Sequence, residues 1–303
     1  MTALVRGGAV GGEERALGMP GGRGAGGYGS GPGGYGAGST PGDGFYAACA
    51  RGTQWGRREG VRASVVWDVL RDVLTARSAA TGRPELDVID AGGGTGGFAV
   101  PLAALGHNVT VVDPSPDSLA AAQRRAAEMN VPISAVQGEA AGLDSVVGEA
   151  AADLVICHSV LEYVESPPDA LAAIARVLRQ DGTVSVLAAS AVAAVLHRAL
   201  AGRFVEAHAL LDETMDSAGE SAGQPGEGKP RRFTLPGLLA LIEAAGLHPG
   251  AAHGVRIFAD LVPSALVDAD PGAADALRSL EAAAAAHPAL RDIAAQLHVL
   301  GRR

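Results

Sequence analysis

A glycine-rich turn between a buried strand and a helix is the feature that most constrains this fold. Residues 88–98 read VIDAGGGTGGF, an apolar run followed by glycines and a helix start. Such a turn brings bare backbone and a helix N-terminus against a nucleotide-like ligand. Asp113 ends a second apolar run one βαβ step later, where a carboxylate can accept both ribose hydroxyls. These residues predict an open parallel sheet that holds an adenosine-containing cofactor.

The glycine spacing fits two ligand classes. Gly92, Gly94 and Gly97 satisfy the dinucleotide pattern G-x-G-x-x-G, which leaves a nicotinamide-dependent oxidoreductase as one interpretation. Asp90, with Gly92, Gly94 and Gly96, satisfies D-x-G-x-G-x-G, a pattern similar to that of class I methyltransferases using S-adenosylmethionine (SAM). Asp90 favours the second interpretation, because a carboxylate repels a pyrophosphate and suits the amino group of SAM.

Composition divides the chain into a tail and one large domain. The first 44 residues contain 18 glycines and no apolar periodicity beyond residue 20, which predicts a disordered tail at 1–44. Residues 45–303 are enough for one α/β domain. The order of apolar runs predicts a Rossmann-like, doubly wound, seven-stranded and mostly parallel sheet with helices on both faces.

The spacing of apolar residues and the positions of turn-forming residues predict the helices and strands. Strands are predicted at 86–90, 108–113, 133–136, 153–157, 183–187, 254–261 and 296–301. Helices are predicted at 45–76, 97–105, 115–129, 168–178, 234–245 and 273–286, with one or two more within 191–211. Residues 217–229 read as a polar insert. A wider acceptor-side insert, about 191–232, follows the fifth strand at the edge where such sheets bind ligands.

Charge, cysteines and histidines exclude several classes of site. The net charge of −9 argues against strong nonspecific binding to nucleic acid. Cys49 and Cys157 form no disulfide framework, and the histidines lack metal-ligand spacing, so no metal is expected. No apolar run has the length of a signal peptide or a membrane span. The expectation is a cytoplasmic protein with no membrane partner; the oligomeric state is left open.

From residue 45 to the C-terminus the chain resembles class I SAM-dependent methyltransferases. Within them it is most similar to the bacterial tRNA 5-carboxymethoxyuridine methyltransferases, which methylate a carboxylate on the wobble uridine. The likeness is carried by Gly52-Thr53, Arg62, Trp67, Asp90 to Gly94, Gly106-His107, Asp113, His158, Leu161-Glu162, Val164, Gly254 to Arg256, Phe258, Leu261 and Leu297 to Val299.

The resemblance implies roles for individual residues toward SAM. Arg62 would contact the carboxylate of the cofactor, and Asp113 would hold its ribose. Glu139 and Ala140 would meet the adenine, and His158 would line the pocket. The glycine pattern adds a set of loop residues to this cofactor site: Asp90, Gly92, Gly93, Gly94 and Gly96.

Three residues are candidates for the methyl-transfer chemistry. His158 follows a buried strand and would act as a general base or, as we prefer, pack against the cofactor without proton transfer. Tyr163 would face the acceptor or pack in a helix. The resemblance implies that Arg256 serves the acceptor, where it would pair with a carboxylate. Such an acceptor is ionised at neutral pH and needs no base.

The acceptor class remains open at the level of sequence. The family carries a dense basic cluster before a late helix, whereas this chain has Lys229, Arg231 and Arg232. Because phosphate contacts supply most nucleic-acid affinity, this difference favours the alternative of a small-molecule O- or N-methyltransferase. A SAM-binding protein without catalysis is a third interpretation.

Overall fold

The computed structural model describes residues 57–216, 230–270 and 272–303. The tail predicted at 1–44, the first part of the helix predicted at 45–76 and the insert predicted at 217–229 lie outside the described residues. Within the described residues, no helix is both long and apolar enough to cross a membrane.

In the part of the chain that is described, seven strands form one sheet in the order β3-β2-β1-β4-β5-β7-β6. They are β1 (Asp87–Ala91), β2 (Asn108–Asp113), β3 (Ser134–Gln137), β4 (Ala152–His158), β5 (Leu178–Ala189), β6 (His248–Val255) and β7 (Gln296–Arg302). The first five pair in parallel, and β7 runs antiparallel to both β5 and β6. The predicted Rossmann-like sheet is confirmed.

The strand order places a ligand crevice at one edge of the sheet. From β1 the chain proceeds outward to β2 and β3, then returns to β4 on the other side of β1. At the carboxyl ends of β1 and β4, the following loops therefore run in opposite directions. Open α/β sheets bind ligands in the crevice between such loops. Since β7 is antiparallel, its first residue, Gln296, lies at the same edge, opposite Ala189 of β5 and Val255 of β6.

Helices cover both faces of the sheet. They are α1 (Arg57–Thr81), α2 (Ala99–Ala104), α3 (Pro116–Glu128), α4 (Leu143–Val147), α5 (Pro167–Val177), α6 (Ala191–Leu200), α7 (Phe204–Asp216), α8 (Leu235–Ala244), α9 (Ser264–Ala269), α10 (Ala273–Ala285) and α11 (Pro288–Arg291). On β4, Val155 and Cys157 join a core with α5 and α8, whereas Leu154 and Ile156 join a core with α1 and α2. Successive residues of β4 therefore face opposite sides of the sheet, and both sides are buried.

The strand predicted at 254–261 is wrong in position. β6 ends at Val255, because Arg256 adopts a left-handed backbone with φ of 63°. The next three backbone N–H groups, of Ile257, Phe258 and Ala259, donate to the buried carboxylate of Glu281 at 2.7 to 2.9 Å instead of to a neighbouring strand. A side chain on α10 therefore shapes this segment as a loop.

Candidate active site

The loop after β1 wraps around the carboxylate of Asp90. Its first N–H, from Gly92, donates to the Val112 carbonyl at 2.7 Å and joins the loop to β2. A Cβ on Gly93 would lie 2.6 Å from the carboxyl carbon of Asp90, so a side chain there would displace the carboxylate. The absence of a side chain lets the backbone approach Asp90 closely and leaves the loop surface bare for a ligand.

Asp90 is a buried carboxylate whose pKa lies above its ordinary value. Its side chain lies at the end of β1 and the residue is only 3% exposed. Burial raises its pKa to about 7, the nearby charge of Asp113 adds to the increase, and the N–H of Ala99 opposes it. A carboxylate in this environment gains from a cationic ligand group. The amino group of SAM is such a group, so the loop fits this cofactor.

Asp113 is tied to the same loop. The backbone N–H of Gly94 donates to its Oδ2 at 2.9 Å, and that of Ser115 donates to Oδ1 at 2.9 Å. Each carboxylate oxygen retains a further acceptor site. The strand end and these two bonds fix the carboxylate beside the glycine loop, and its contact with a ribose remains a prediction.

The first cavity has a volume of about 440 Å³ and opens between the loops after β1, β4 and β6. Its walls are Ala63, Val66, Asp90, Gly92, Gly93, Gly97, Phe98, His158, Ser159, Leu187, Val255, Arg256 and Gln296. It therefore brings together five residues predicted from the sequence, namely Asp90, Gly92, Gly93, His158 and Arg256. We refer to it as the cofactor cavity.

Other predicted cofactor residues lie along the sheet edge outside these walls. Gly94 and Gly96 lie in the glycine loop, and Asp113 ends β2 next to it. Exposed Glu139 and buried Ala140 follow β3, one strand further out. Their positions match a ligand that extends from the cavity across β2 toward β3, and their contacts remain predictions. The side chain of Arg62 lies outside the described part of the structure.

The second cavity, of about 360 Å³, adjoins the first and is rich in cationic side chains. Its walls include His197, Arg198, Arg231, Arg232 and Arg256, with the acidic residues Glu162 and Asp260. Tyr163, another predicted site residue, is 74% exposed and borders this cavity, so it does not pack inside a helix. We refer to it as the acceptor cavity.

Phe233 anchors the segment that carries Arg231 and Arg232 into the wall of the acceptor cavity. Its side chain is buried, and its N–H donates to the Ala189 carbonyl at the end of β5 at 2.8 Å. This anchor places Arg231 and Arg232 beside the sheet edge. The Arg231 guanidinium donates to the main-chain carbonyls of Val164 and Glu165, and these neutral acceptors do not cancel its charge.

Three residues border both cavities: Ser159, Arg256 and Gln296. The side-chain amide of Gln296 donates to the Ser159 hydroxyl at 3.2 Å, and Arg256 forms an ion pair with Asp260. Ser159 and Arg256 both have left-handed backbones, with φ of 55° and 63°. Strained residues of this kind cluster at functional sites, and these lie where the two cavities meet. Sequence reasoning missed Ser159 and Gln296.

Glu162 contributes a carboxyl group to the acceptor cavity. Its Oε1 accepts a hydrogen bond from the Ala189 N–H at 2.8 Å, and burial raises the pKa of this group. Its Oε2 is buried and has no hydrogen-bond partner among the described residues. The side chain therefore holds the end of β5 and retains an acceptor position next to the cavity.

His158 is a poor candidate for a general base. Burial lowers the pKa of its imidazole to about 3, and its Nε2 is engaged with the Ser185 hydroxyl at 2.8 Å. A base with so low a pKa is a weak proton acceptor at neutral pH. The ring packs edge-on against Phe98, with 4.7 Å between centroids.

No group of three or more histidine, cysteine, aspartate or glutamate side chains in the described residues could hold a metal ion. A larger cavity of about 610 Å³ lies between α1 and a wall that includes Pro84, Leu105 and His107. Those three residues precede β1 and β2, so this cavity is at the amino edge of the sheet and apart from the glycine loop.

The sheet order, the antiparallel last strand and the glycine loop around Asp90 define a Rossmann-like methyltransferase fold. A family model described as "Methyltransferase domain" matches residues 89–186. The chain is also 30% identical over 214 residues to the tRNA 5-carboxymethoxyuridine methyltransferase of Escherichia coli K12, covering 66% of this chain and 72% of that protein. The chain belongs to the SAM-dependent methyltransferase family, in which SAM is the implied methyl donor.

Two further similarities are more limited. The ubiquinone biosynthesis O-methyltransferase of Rickettsia conorii is 39% identical over 82 residues, 27% of each chain. The crystal structure of magnesium protoporphyrin IX methyltransferase from Synechocystis PCC 6803 with bound SAH has a TM-score of 0.51 and 15% identity. It covers 86% of this chain and 94% of that one, and it supports the fold alone. The oxidoreductase interpretation of the glycine spacing is wrong, because the family is that of methyltransferases.

Proposed function

We propose that this enzyme transfers the methyl group of SAM to a carboxylate on a modified wobble uridine of tRNA. The observation that carries the proposal is the acceptor cavity, which adjoins the cofactor cavity and has arginines on its walls. A cavity with Arg231, Arg232 and Arg256 suits an anionic acceptor. The E. coli relative, named for a carboxymethoxyuridine substrate, supports the same class.

SAM would occupy the cofactor cavity with its amino group beside Asp90 and its ribose beside Asp113. Gly92 and Gly93 would give the backbone surface against which it lies. The pKa of about 7 at Asp90 supports this placement, since a cation beside the carboxylate would stabilise its ionised form. The adenine would extend toward Glu139 and Ala140.

The methyl group would pass between the cavities at Ser159, Arg256 and Gln296. These side chains border both spaces, so a donor carbon on one side and an acceptor oxygen on the other would meet there. Methyl transfer is an in-line displacement, and its main requirements are alignment and exclusion of water. Arg256 would hold one carboxylate oxygen while the other faces the methyl carbon.

No proton needs to be removed from a carboxylate acceptor at neutral pH. This agrees with His158, whose low pKa and bond to Ser185 make it unsuitable as a base. Exposed Tyr163, at the rim of the acceptor cavity, is suited to stack against a nucleobase. The residues of this chain would therefore bind, orient and shield the reactants.

The decisive experiment is methylation of tRNA that carries 5-carboxymethoxyuridine, with SAM and the purified full-length enzyme. Nucleosides released from the tRNA are analysed by mass spectrometry for the methyl ester. Turnover should fall steeply between 50 and about 200 mM salt, because a tRNA substrate releases counterions on binding. Absence of the ester under conditions in which SAM binds would reject the tRNA proposal.

A small-molecule acceptor is the second candidate. It is favoured by the net charge of −9 and by the local similarity to ubiquinone biosynthesis O-methyltransferases. A panel of small carboxylates and phenols, assayed for formation of SAH, separates the two. Turnover of a small acceptor that is insensitive to salt, with no product on tRNA, would establish this alternative.

A further inference from the structure

A row of polar side chains crosses the apolar interior of the sheet. His158 Nε2 on β4 lies 2.8 Å from Ser185 Oγ on β5, and that oxygen lies 2.7 Å from His298 Nε2 on β7. His253 on β6 is paired with His298 in the strand register and stacks on its ring, 5.7 Å away. Ser185 and His298 are both completely buried.

The single hydroxyl hydrogen of Ser185 couples the two histidines. If Ser185 donates to one ring nitrogen, it must accept from the other, so His158 and His298 take opposite tautomers. If both rings donated to Ser185, both serine lone pairs would accept, but the serine hydrogen and the Nδ1 lone pairs of both rings would be unpaired. The Nδ1 atoms of His158 and His298 have no other hydrogen-bond partner among the described residues, so the opposite-tautomer arrangement leaves fewer groups unsatisfied.

The Nδ1 atoms of both rings are buried as well as unpaired within the described part of the chain, so solvent offers neither of them an alternative partner. One ring therefore donates from Nε2 to Ser185 and the other accepts there, which fixes one tautomer at each histidine.

We propose that Ser185 and His298 are positioning residues that hold His158 in a single tautomer, opposite to that of His298, on the wall of the cofactor cavity. Neither side chain borders the cavity, and both act through His158. The proposal depends on the placement of SAM in that cavity and not on the identity of the acceptor.

This arrangement suits a positively charged cofactor. Burial lowers the pKa of His158 and of His298, and the neighbouring rings of His158 and His253 add to the decrease at His298. Burial also lowers the pKa of His253, and Arg291 adds to that decrease. The His158 ring is therefore uncharged, and its hydrogen bond with Ser185 holds its orientation. This ring would face the sulfonium of SAM.

The tautomers are read directly from long-range ¹H–¹⁵N correlations of the histidine side chains in the ¹⁵N-labelled full-length protein. His158→Gln and His298→Gln assign the signals. We expect one of the two rings to be protonated on Nδ1 and the other on Nε2. The same tautomer at both residues, or a mixture of tautomers at either, would overturn the proposal. This measurement needs neither SAM nor an acceptor.

Variants test whether the row positions the cofactor. Ser185→Ala should abolish the tautomer preference of His158 and weaken SAM binding by about 3- to 10-fold in calorimetry, the loss expected for one hydrogen bond. Ser185→Thr, which retains the hydroxyl, should restore both. Thr183→Ala, on the same strand and face, is the matched control and should change neither.

The outcomes separate this inference from the proposed function. An unchanged tautomer of His158 in Ser185→Ala, or a lost tautomer preference with unchanged SAM affinity, would overturn the positioning role. If the unmodified protein bound no SAM, the proposed function would fail, while the tautomers of the ligand-free protein would still decide between the hydrogen-bond arrangements.

Discussion

The N–H of Gly94 donates to the carboxylate of Asp113 at 2.9 Å, which joins the glycine loop after β1 to the end of β2. The other carboxylate oxygen accepts the N–H of Ser115 at the start of the following turn. One side chain therefore fixes two loops that would both lie against SAM. Its loss should affect the shape of the site as well as the contact with the ribose.

We predict that Asp113→Ala weakens SAM binding by at least about 10-fold, because it removes a charged hydrogen-bonding group and leaves two backbone donors without their acceptor. Asp113→Asn retains one acceptor oxygen and should show a smaller loss. Calorimetric titration with SAM measures the effect, and thermal unfolding without ligand measures the structural part. Equal SAM affinity in Asp113→Ala and the unmodified enzyme would contradict the ribose role.

SAM affinity should depend on the ionisation of Asp90. Its pKa of about 7 in the free protein means that the carboxylate is largely protonated at pH 6 and largely ionised at pH 8. If the ionised form pairs with the protonated amino group of SAM, affinity should rise about 5-fold from pH 6 to about pH 7.5 and then fall, because the amino group itself loses its proton near pH 8. Asp90→Asn should bind weakly at both pH values, and an unchanged pH profile in this variant would exclude Asp90 as the titrating group.

The same residue should influence the stability of the ligand-free protein in the opposite direction. Its folded-state pKa is raised, so the folded protein binds a proton that the unfolded chain has lost between about pH 4 and pH 7. Stability therefore falls as pH rises through this window, by at most about 4 kcal/mol for this group. Asp90→Asn should be more stable than the unmodified protein at pH 8 in denaturant titrations without SAM. A lower stability of the variant at that pH would contradict the raised pKa.

Local patterns in the sequence predicted where the glycine loop and Asp113 lie on the sheet. The bounds of β2 agree with the prediction, and Asp90, the glycine loop and Asp113 lie at adjacent strand ends. These features follow from short segments, in which apolar runs, glycines and an acidic strand end occur within about 25 residues of one βαβ unit.

The acceptor side depends on long-range packing that a sequence pattern does not contain. Arg231 and Arg232 reach the cavity because Phe233 pairs with the end of β5, over 40 residues away. Gln296 reaches the same edge because β7 inserts antiparallel between β5 and β6. The loop at Arg256 is determined by Glu281, whose buried carboxylate holds three successive N–H groups.

A buried acidic residue should control the stability of the sheet's amino edge. Asp153 on β4 accepts a hydrogen bond from the N–H of Asp87 and contacts the guanidinium groups of Arg77, Arg83 and Arg179. Burial works to raise the pKa of Asp153, but these partners outweigh it and hold the pKa below its ordinary value. The contribution to stability is therefore present at neutral pH and lost on acidification through the folded pKa.

We predict that Asp153→Ala lowers the free energy of unfolding by about 3–5 kcal/mol at pH 7, because it leaves several arginines near the sheet without their partner. Asp144→Ala, which removes the partner of Arg176 in a solvent-screened ion pair, should cost much less. Urea titrations at pH 7 measure both. Similar losses in the two variants would show that burial of Asp153 adds nothing.

Arg256 should be the residue whose loss most affects turnover. Its side chain borders both cavities and is oriented by Asp260, so a carboxylate acceptor would meet it beside the methyl group. Arg256→Ala should lower kcat/KM for the tRNA acceptor by about 10- to 100-fold, the range for a hydrogen bond to a charged group. Arg256→Lys keeps the charge without the planar fork and should recover part of it.

Arg278→Ala is the control for Arg256→Ala. Arg278 lies on α10, is ion-paired with Asp275 at 2.8 Å and borders neither cavity. Turnover with this variant should equal that of the unmodified enzyme, and thermal unfolding of both variants separates loss of folding from loss of function. Unchanged turnover in Arg256→Ala would reject the assignment. The acceptor would then have to be held by Arg231 and Arg232, because the other two arginines of the cavity, Arg198 and Arg256, are ion-paired with Glu206 and Asp260.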